Sequence, residues 1–133
     1  MSLSFSDLIR NARAQATVGQ IDRAATPGTL ELYATTQPAA GAAPGGSPMT
    51  TITLQKPCGT VTDGVIHFAI TPPAQIATTG SVLWARARDG DGYWLLDGNV
   101  ATTGTPGAAF TLDDVELFAG AFVFLFNATL TEP

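Results

Sequence analysis

Two patterns of hydrophobic and polar positions divide the chain near residue 22. Before that point, apolar residues recur at steps of three and four, which is the spacing of one face of an α-helix. This stripe consists of Phe5, Leu8, Ile9, Ala12 and Ala16. The pattern predicts a helix over about residues 5–18. Because the stripe is narrow and rich in Ala, we expect it to lie on a sheet or on a neighbouring subunit.

The sequence also indicates where this helix begins and ends. Ser4 and Asp7 have the spacing of a capping box, which predicts Ser4 as the N-cap. Gly19 is a plausible stop, since glycine often follows the last turn of a helix.

After Ala25 the pattern changes to the alternation of β-strands. About seven or eight short strands are predicted, separated by turn signals and by Pro/Ala/Gly-rich loops at residues 37–48 and 101–107. The predicted strands cover residues 28–35, 50–55, 64–70, 81–88, 93–100, 110–118 and 121–129. This pattern is typical of an antiparallel β-sandwich or jelly roll, and the long loops argue against a meander barrel without excluding one.

The clearest local signal is a hairpin between residues 81–88 and 93–100. Its turn contains two Asp-Gly steps, Asp89-Gly90 and Asp91-Gly92, the preferred chemistry for backbone at positive φ. We therefore expect two strands of about eight residues to pair across this turn.

The last predicted strand is apolar on both faces. Phe122, Phe124 and Phe126 alternate with Val123 and Leu125. Such a strand is expected to be central, buried between two layers or against another subunit. The chain is thus predicted to be mainly β, with a helical arm at 1–22 and a jelly-roll-like sandwich at 23–133.

Composition and charge narrow the possible functions. Only 13% of residues are charged, about half the usual share, and Ala, Thr, Gly and Pro take their place. The net charge of −5 argues against a nucleic-acid binder, which needs clustered Lys and Arg. Apolar residues make up 45%, which argues against disorder. The low charge is instead consistent with a surface partly reserved for protein neighbours.

Nothing in the sequence predicts a membrane or secretory segment. The most apolar stretch, residues 117–125, has about half of the roughly 20 residues that a membrane span requires. Asp7, Arg10 and Arg13 fall where a signal peptide would be apolar. We therefore expect a protein made and assembled in a cytoplasm, with no membrane partner.

His67 and Cys58 are the residues whose chemistry could support catalysis or metal binding. The chain has one histidine and one cysteine, so neither a zinc site nor an internal disulfide is expected. His67 lies within a predicted strand and Cys58 within a turn. A nucleophilic cysteine needs a basic partner, and only Lys56 and His67 are near in sequence. A structural role is the favoured interpretation for both.

Two groups of carboxylates invite a functional interpretation. Asp89, Asp91 and Asp97 could bind calcium, but the other positions of a calcium loop do not match. A hairpin turn built by Asp-Gly pairs is favoured. The adjacent Asp113 and Asp114 could serve acid–base chemistry, but neighbours on a strand point to opposite faces, so a bulge or strand-end cap is favoured.

Three aromatic residues flank the hairpin and form a possible surface platform. Trp84, Tyr93 and Trp94 could stack on a sugar ring, which would indicate a carbohydrate-binding module. Cross-strand packing within the hairpin is the favoured alternative. With one histidine, no Ser/His/acid arrangement can be proposed, so we predict no enzyme, catalytic residue, cofactor or metal.

The order of segments resembles a known class of proteins. A short helix precedes a GTLELYATTQP strand, a Pro/Gly/Ala loop, a GVIHF strand and the closing segment FTLDDVELFAGAFVFLF. The most specific part is a W-x-R-x-x-D-x-x-G…DG hairpin, formed by Trp84, Arg86, Asp89, Gly92, Asp97 and Gly98. This order resembles small structural proteins of tailed bacteriophages and prophages, and is similar to jelly-roll capsid cement (decoration) proteins. The aromatic-rich end strand departs from that pattern.

The resemblance implies a structural role in a virion. It implies a homo-oligomer, a dimer or a trimer, that binds the phage major capsid protein on the capsid surface after assembly in the host cytoplasm. The predicted subunit contacts are Phe5, Leu8, Ile9, Ala12, Phe122, Phe124 and Phe126. If the helix forms a contact, deletion of residues 1–22 should reduce the oligomer size. A tail or neck component, or a carbohydrate-binding β-sandwich module, remains the alternative.

Overall fold

The chain folds mainly into β-strands, with one helix near its start. The computed structural model describes residues 4–71, 74–123 and 128–131. Helix α1 spans Asp7–Ile21. The prediction of a mainly β chain with a short N-terminal helix is confirmed.

Seven of the described strands close into a barrel. They are β1 (Thr29–Tyr33), β2 (Thr50–Thr62), β3 (Val65–Ile70), β6 (Trp84–Arg88), β7 (Trp94–Thr102), β8 (Phe110–Leu112) and β11 (Thr129–Thr131). Around the barrel the order is β1-β2-β3-β11-β8-β7-β6, and β6 returns to β1. The short strands β4 (Ala74–Gln75), β5 (Gly80–Ser81), β9 (Glu116–Leu117) and β10 (Phe122–Val123) form two separate ladders, β4–β10 and β5–β9.

This closed barrel differs from the predicted two-layer sandwich. Leu30 of β1 pairs with Ile52 of β2 on one side and with Ala87 of β6 on the other. A parallel pairing of β7 with β8, which places Val100 opposite Phe110, completes the ring. Alternation along a strand separates an inner from an outer face in a sandwich and in a barrel alike, so the pattern could not distinguish them.

The barrel interior combines small and large side chains. Ala85 and Ala87 on β6 are fully buried and face Leu32 and Leu30 across the β1–β6 ladder. At Gly98 of β7 an added Cβ would lie 2.7 Å from the Cβ of Ala109. The small residues therefore leave the space that the large ones fill, as close packing requires.

Helix α1 begins later, and packs on a different face, than the sequence predicts. Ser6, not Ser4, is the N-cap, and its hydroxyl accepts the Ile9 N–H at 3.4 Å. The buried face of the helix consists of Ala14, Val18 and Ile21. The predicted stripe lies on the opposite, exposed side and consists of Phe5, Leu8, Ile9, Ala12 and Ala16.

The barrel determines which side of the helix is buried. Ile21 lies so close to Gly28 that an added Cβ there would be 2.6 Å from the Ile21 side chain. The Asn11 side chain accepts the Gly64 N–H at 2.7 Å. Ala14, Val18 and Ile21 also belong to the same hydrophobic core as the strands. Helix α1 therefore packs on the barrel and contributes to its core.

A bulge in β2 fixes the end of the helix. The predicted strand 50–55 is the first part of a 13-residue strand whose register shifts between Leu54 and Gly59. Within this bulge the Lys56–Pro57 peptide bond is cis. The Asp22 carboxylate accepts the Cys58 N–H at 3.0 and 3.1 Å. This carboxylate thus joins the residue after the helix to the bulge.

A two-stranded ribbon lies at the end of the barrel opposite to the helix. It consists of residues 74–82 and 113–123, and we call it the far end. Its two segments are joined by the β4–β10 and β5–β9 pairings. In addition, the Ile76 N–H donates to the Ala121 carbonyl at 2.9 Å, and the Gly120 N–H donates to the Ile76 carbonyl at 2.8 Å. Ile76, Val82 and Leu117 anchor it in the core.

Two predicted strands are interrupted in this region. The strand predicted at 110–118 breaks at Asp113-Asp114, where the Asp114 carboxylate accepts the Glu116 N–H at 2.9 Å. This contact is the strand-end cap that the sequence favours over an acid–base pair. The strand predicted at 121–129 contains β10 and the start of β11. Phe124 and Phe126, its predicted contact residues, lie outside the described residues.

Candidate functional site

The Asp-Gly turn uses its carboxylates to hold the hairpin. The Asp89 side chain is buried and accepts the N–H groups of Asp91 and Tyr93, both at 3.0 Å. It also accepts a hydrogen bond from the Arg23 guanidinium, which lies 3.9 Å from Asp91. Burial alone would raise the pKa of Asp89, but these hydrogen bonds and the charge of Arg23 outweigh it and lower the pKa. A guanidinium therefore occupies the place that the calcium interpretation gives to a metal.

A second ion pair lies under the loop at residues 37–48, which we call the strap. Arg86 and Asp97 face each other on the outer side of β6 and β7, and their side chains are only 3% and 2% exposed. Two hydrogen bonds of 2.7 and 3.0 Å join them. Arg86 also donates to the Ala42 carbonyl at 2.6 Å, and Asp97 accepts the Gly41 N–H at 3.2 Å. The buried pair thereby ties the strap to the barrel.

The charge state of this pair follows from its contacts. Burial alone would raise the pKa of Asp97, but the hydrogen bonds from Arg86 and Gly41 lower it below its usual value. The same partner raises the pKa of Arg86. Both groups are therefore charged at neutral pH, and their role is structural.

The three hairpin aromatics do not form one surface. Trp84 is fully buried and stacks on Tyr33, with ring centroids 4.3 Å apart, and its indole N–H donates to the Thr35 hydroxyl at 3.3 Å. The prediction of Trp84 as part of a surface platform is therefore wrong, because its indole ring is fully buried against Tyr33. Tyr93 and Trp94 are exposed by 65% and 42%.

The cysteine and the histidine lie apart from any reactive arrangement. Cys58 is fully buried, and burial together with the nearby Asp22 charge raises the pKa of its thiol to about 12. A thiol with this pKa is almost entirely protonated at neutral pH, which favours a structural role. His67 is exposed on β3, opposite Thr60 and Thr129. Within the described ranges, no three metal-ligating side chains come together.

The predicted stripe of α1 forms the first exposed apolar surface, which we call the helix stripe. Leu8 is 79% exposed, Ile9 44% and Phe5 42%, and Ala12 continues the surface along the helix. The Arg13 guanidinium lies 5.0 Å from the Phe5 ring centroid at its margin. The helix is thus apolar on two faces, one packed on the barrel and the other facing solvent.

The second exposed apolar surface lies at the far end, where sequence reasoning missed it. Phe118 is 65% exposed and Phe122 47%. Asp113, Asp114 and Glu116 occupy exposed positions of the same segment. A signal was available, because the chain has no Lys or Arg after Arg88. The alternation of the sequence predicts Phe118 within a strand, because alternation alone does not report this charge asymmetry.

Two surface pockets complete the geometry. A pocket of about 220 Å³ lies between α1 and the start of β7, and one of about 490 Å³ lies beside β8 and β11. The first is lined by Ala16, Thr17, Gln20, Leu95 and Leu96. The second is lined by Thr105, Pro106, Gly107, Ala108, Ala109, Thr111 and Thr131. Neither lining includes an ionisable side chain, so both suit contacts better than proton transfer.

The described part of the chain contains no helix with the length and hydropathy that crossing a bilayer requires. Comparison of the chain with family models, curated proteins and solved structures gives no match.

Proposed function

We propose that this chain is a structural protein of a bacteriophage virion: a capsid cement protein that binds the major capsid protein as an oligomer. The observation that carries the proposal is the helix stripe. Its most exposed member, Leu8, is 79% exposed, and the other apolar face of the helix is already buried in the barrel. A largely apolar surface, here with the Arg13 guanidinium at its margin, is the kind that subunit contacts in homo-oligomers bury.

The magnitude of the hydrophobic effect supports association through this stripe. Burial of apolar surface stabilises a contact by about 25 cal/mol per Å², and a Leu side chain contributes about 1.5–3 kcal/mol when fully buried. Leu8 and Ile9 lie in the first turn of α1, and Phe5 directly precedes its N-cap Ser6, so one contact surface covers all three side chains. Ala12 adds little volume and lets a neighbouring backbone approach closely.

The hairpin motif supports the structural character of the role. Its residues Trp84, Arg86, Asp89 and Asp97 all make contacts within the chain, by stacking, ion pairing or turn capping. A motif of this kind maintains a fold and does not provide chemistry. The resemblance implies a jelly roll, whereas the described strands close into a barrel, so the proposal rests on surfaces and not on strand order.

Light scattering on the purified protein tests the oligomer. We expect a mass of two or three chains for the wild type and a monomer for Leu8→Glu. The control is Leu83→Glu, which places the same charge at a Leu that is 51% exposed on β6's flank. Deletion of residues 1–22 is unsuitable, because it removes Ile21 and Val18 from the core. A monomeric wild type, or Leu8→Glu at full oligomer mass, would exclude the helix stripe as the contact.

Fractionation of virions tests the location. Particles of the phage that encodes the chain are separated into heads and tails, and the chain is quantified in each by mass spectrometry. We expect it in the head fraction, in a fixed ratio to the major capsid protein. Recovery only with tails would support the tail or neck alternative, and absence from both fractions would refute a virion role.

A further inference from the structure

The chain contains four Asp-Gly steps, which begin at Asp63, Asp89, Asp91 and Asp97. Such a step rearranges in water without an enzyme, because glycine has no side chain to hinder its amide nitrogen. The nitrogen attacks Cγ of the protonated aspartic acid, the hydroxyl and the amide proton leave as water, and a succinimide ring forms. Water then opens the ring. Cleavage of the new Cγ–N bond restores aspartate, whereas cleavage of the original C–N bond gives isoaspartate, whose main chain runs through the CH2 group at the same mass.

Two of these steps are closed to the reaction, because their carboxylates are buried and bonded to arginine. The Asp89 side chain is fully buried and accepts hydrogen bonds from the Arg23 guanidinium and from two backbone N–H groups. The Asp97 side chain is 2% exposed and accepts two hydrogen bonds from Arg86. Ring closure would require each carboxyl group to be protonated and turned away from its arginine, which leaves a charge without its partner.

Helix α1 covers the step at Asp63. Asp63 itself is exposed, but Gly64 is buried. The Gly64 N–H donates to the Asn11 side-chain oxygen at 2.7 Å, and an added Cβ at Gly64 would lie 2.8 Å from the guanidinium carbon of Arg10. The nitrogen that must attack is thus bonded to the helix and covered by it. The reaction at this step therefore requires the contact between the turn and the helix to open first.

The step at Asp91 is open at both of its residues. The Asp91 side chain is 56% exposed, and its ion pair with Arg23 is long, at 3.9 Å. Gly92 is exposed, and an added Cβ there would meet no atom within 4 Å apart from its chain neighbours. The Gly92 N–H donates to the Asp89 carbonyl at 3.0 Å. Because Gly92 is exposed, a local fluctuation of the turn is enough to free this nitrogen.

We infer that Asp91-Gly92 is the site at which the folded protein forms isoaspartate, and that Asn11 protects the step at Asp63. The Asp89 carboxylate accepts the N–H groups of Asp91 and Tyr93, which lie on the two sides of the reacting step. The additional CH2 group lengthens the main chain between them, so isoaspartate breaks at least one of these hydrogen bonds and loosens the tip of the hairpin. The reaction needs only water, so it does not depend on the proposed function.

Peptide mapping of the full-length protein after incubation at 37 °C and pH 5 tests the assignment. Electron-transfer fragmentation distinguishes isoaspartate from aspartate, so the rates at all four steps come from one sample. We expect the highest rate at Asp91. In 6 M guanidinium chloride, where the fold is lost, the four rates should become similar. A rate at any other step that equals or exceeds the rate at Asp91 in the folded protein would overturn the assignment, and so would the same order of rates in the denaturant.

Three variants sharpen this test. Asp91→Glu removes the site, since the larger ring that glutamate would form closes far more slowly, and it should abolish most of the isoaspartate. The matched variant Asp63→Glu should leave its amount unchanged. Asn11→Ala should raise the rate at Asp63 about fivefold, which corresponds to the loss of one ordinary hydrogen bond, with the rate at Asp91 unchanged. An unchanged rate at Asp63, or an equal rise at Asp91, would refute the protective role of Asn11.

Discussion

The two ends of the barrel use their carboxylates in different ways. Around the helix and the hairpin, Asp97 binds Arg86, Asp89 binds Arg23, and Asp22 accepts a backbone N–H. At the far end, where neither segment contains Lys or Arg, Asp114 and Glu116 accept hydrogen bonds from neutral donors, the Glu116 N–H and the Ser81 hydroxyl.

Both ends expose apolar side chains. Leu8 is 79% exposed at the helix, and Phe118 and Phe122 are exposed by 65% and 47% at the far end. The difference therefore lies in the charges: ion pairs with arginine stabilise the half that contains the hairpin, whereas the two segments of the far end contain no cation.

Loss of the Asp97 carboxylate should have the largest effect on stability. Asp97→Ala leaves the Arg86 guanidinium buried without its partner and frees the Gly41 N–H of the strap. Removal of one member of a buried pair destabilises by about 3–5 kcal/mol. Urea denaturation should show this decrease in the free energy of unfolding.

The matched control for Asp97 is an exposed carboxylate in a weaker ion pair. Asp91 is 56% exposed and lies 3.9 Å from Arg23. Asp91→Ala should change the free energy of unfolding by less than about 1 kcal/mol. Similar losses for the two variants would mean that the Arg86–Asp97 pair is not the attachment of the strap.

The two faces of α1 offer a comparison between identical side chains. Ile21→Ala removes a fully buried side chain and should destabilise the protein by about 2–5 kcal/mol. Ile9→Ala, at 44% exposure on the helix stripe, should change monomer stability by about 0.5 kcal/mol or less. Thermal unfolding at low protein concentration separates this effect from any oligomer contact. Equal losses at the two positions would contradict the assignment of buried and exposed faces.

The hairpin could be predicted because its signal is local. The Asp89-Gly90-Asp91-Gly92 turn and the alternation on either side determine both the pairing and the turn, and the structure has them at β6 and β7. The capping role of Asp114 follows equally from near neighbours. The hydrogen bond from Arg86 to the Ala42 carbonyl could not be predicted, because the strap brings Ala42 to it from 44 residues away along the chain.

The helix and the barrel show where local pattern is insufficient. Phe5, Leu8 and Ile9 make the more hydrophobic stripe, yet Ala14, Val18 and Ile21 are buried, because the Ile21 side chain fits against Gly28, where an added Cβ would lie 2.6 Å from it. Likewise, closure of the barrel depends on β1 pairing on both edges, which is a long-range property. Which faces of the candidate site are exposed therefore depends on this tertiary packing and not on the periodicity of apolar residues in the sequence.

Low pH should decrease the free energy of unfolding, because it protonates Asp97 in the hairpin. The pKa of Asp97 is lower in the folded protein than the value of about 3.9 in an unfolded chain. Its contribution to stability is therefore complete above that value and is lost as pH falls through the folded pKa. Urea titrations should show the free energy of unfolding falling below about pH 4. The Asp97→Asn variant should be less stable than the wild type at pH 7, and its free energy of unfolding should fall less steeply with decreasing pH. If it falls as steeply as in the wild type, other carboxylates cause the acid sensitivity.

Neutralisation of the three far-end carboxylates should have the smallest effect on the free energy of unfolding. The triple variant Asp113→Asn, Asp114→Asn, Glu116→Gln removes three like charges but keeps acceptors for the Glu116 N–H and the Ser81 hydroxyl. Surface changes of this kind stay within about 0.5 kcal/mol, and relief of repulsion favours a small gain that salt diminishes. Urea denaturation at 20 and 300 mM NaCl measures both quantities. A loss above about 1 kcal/mol would show that these carboxylates stabilise the fold, as Asp97 does, and would remove the difference between the two ends.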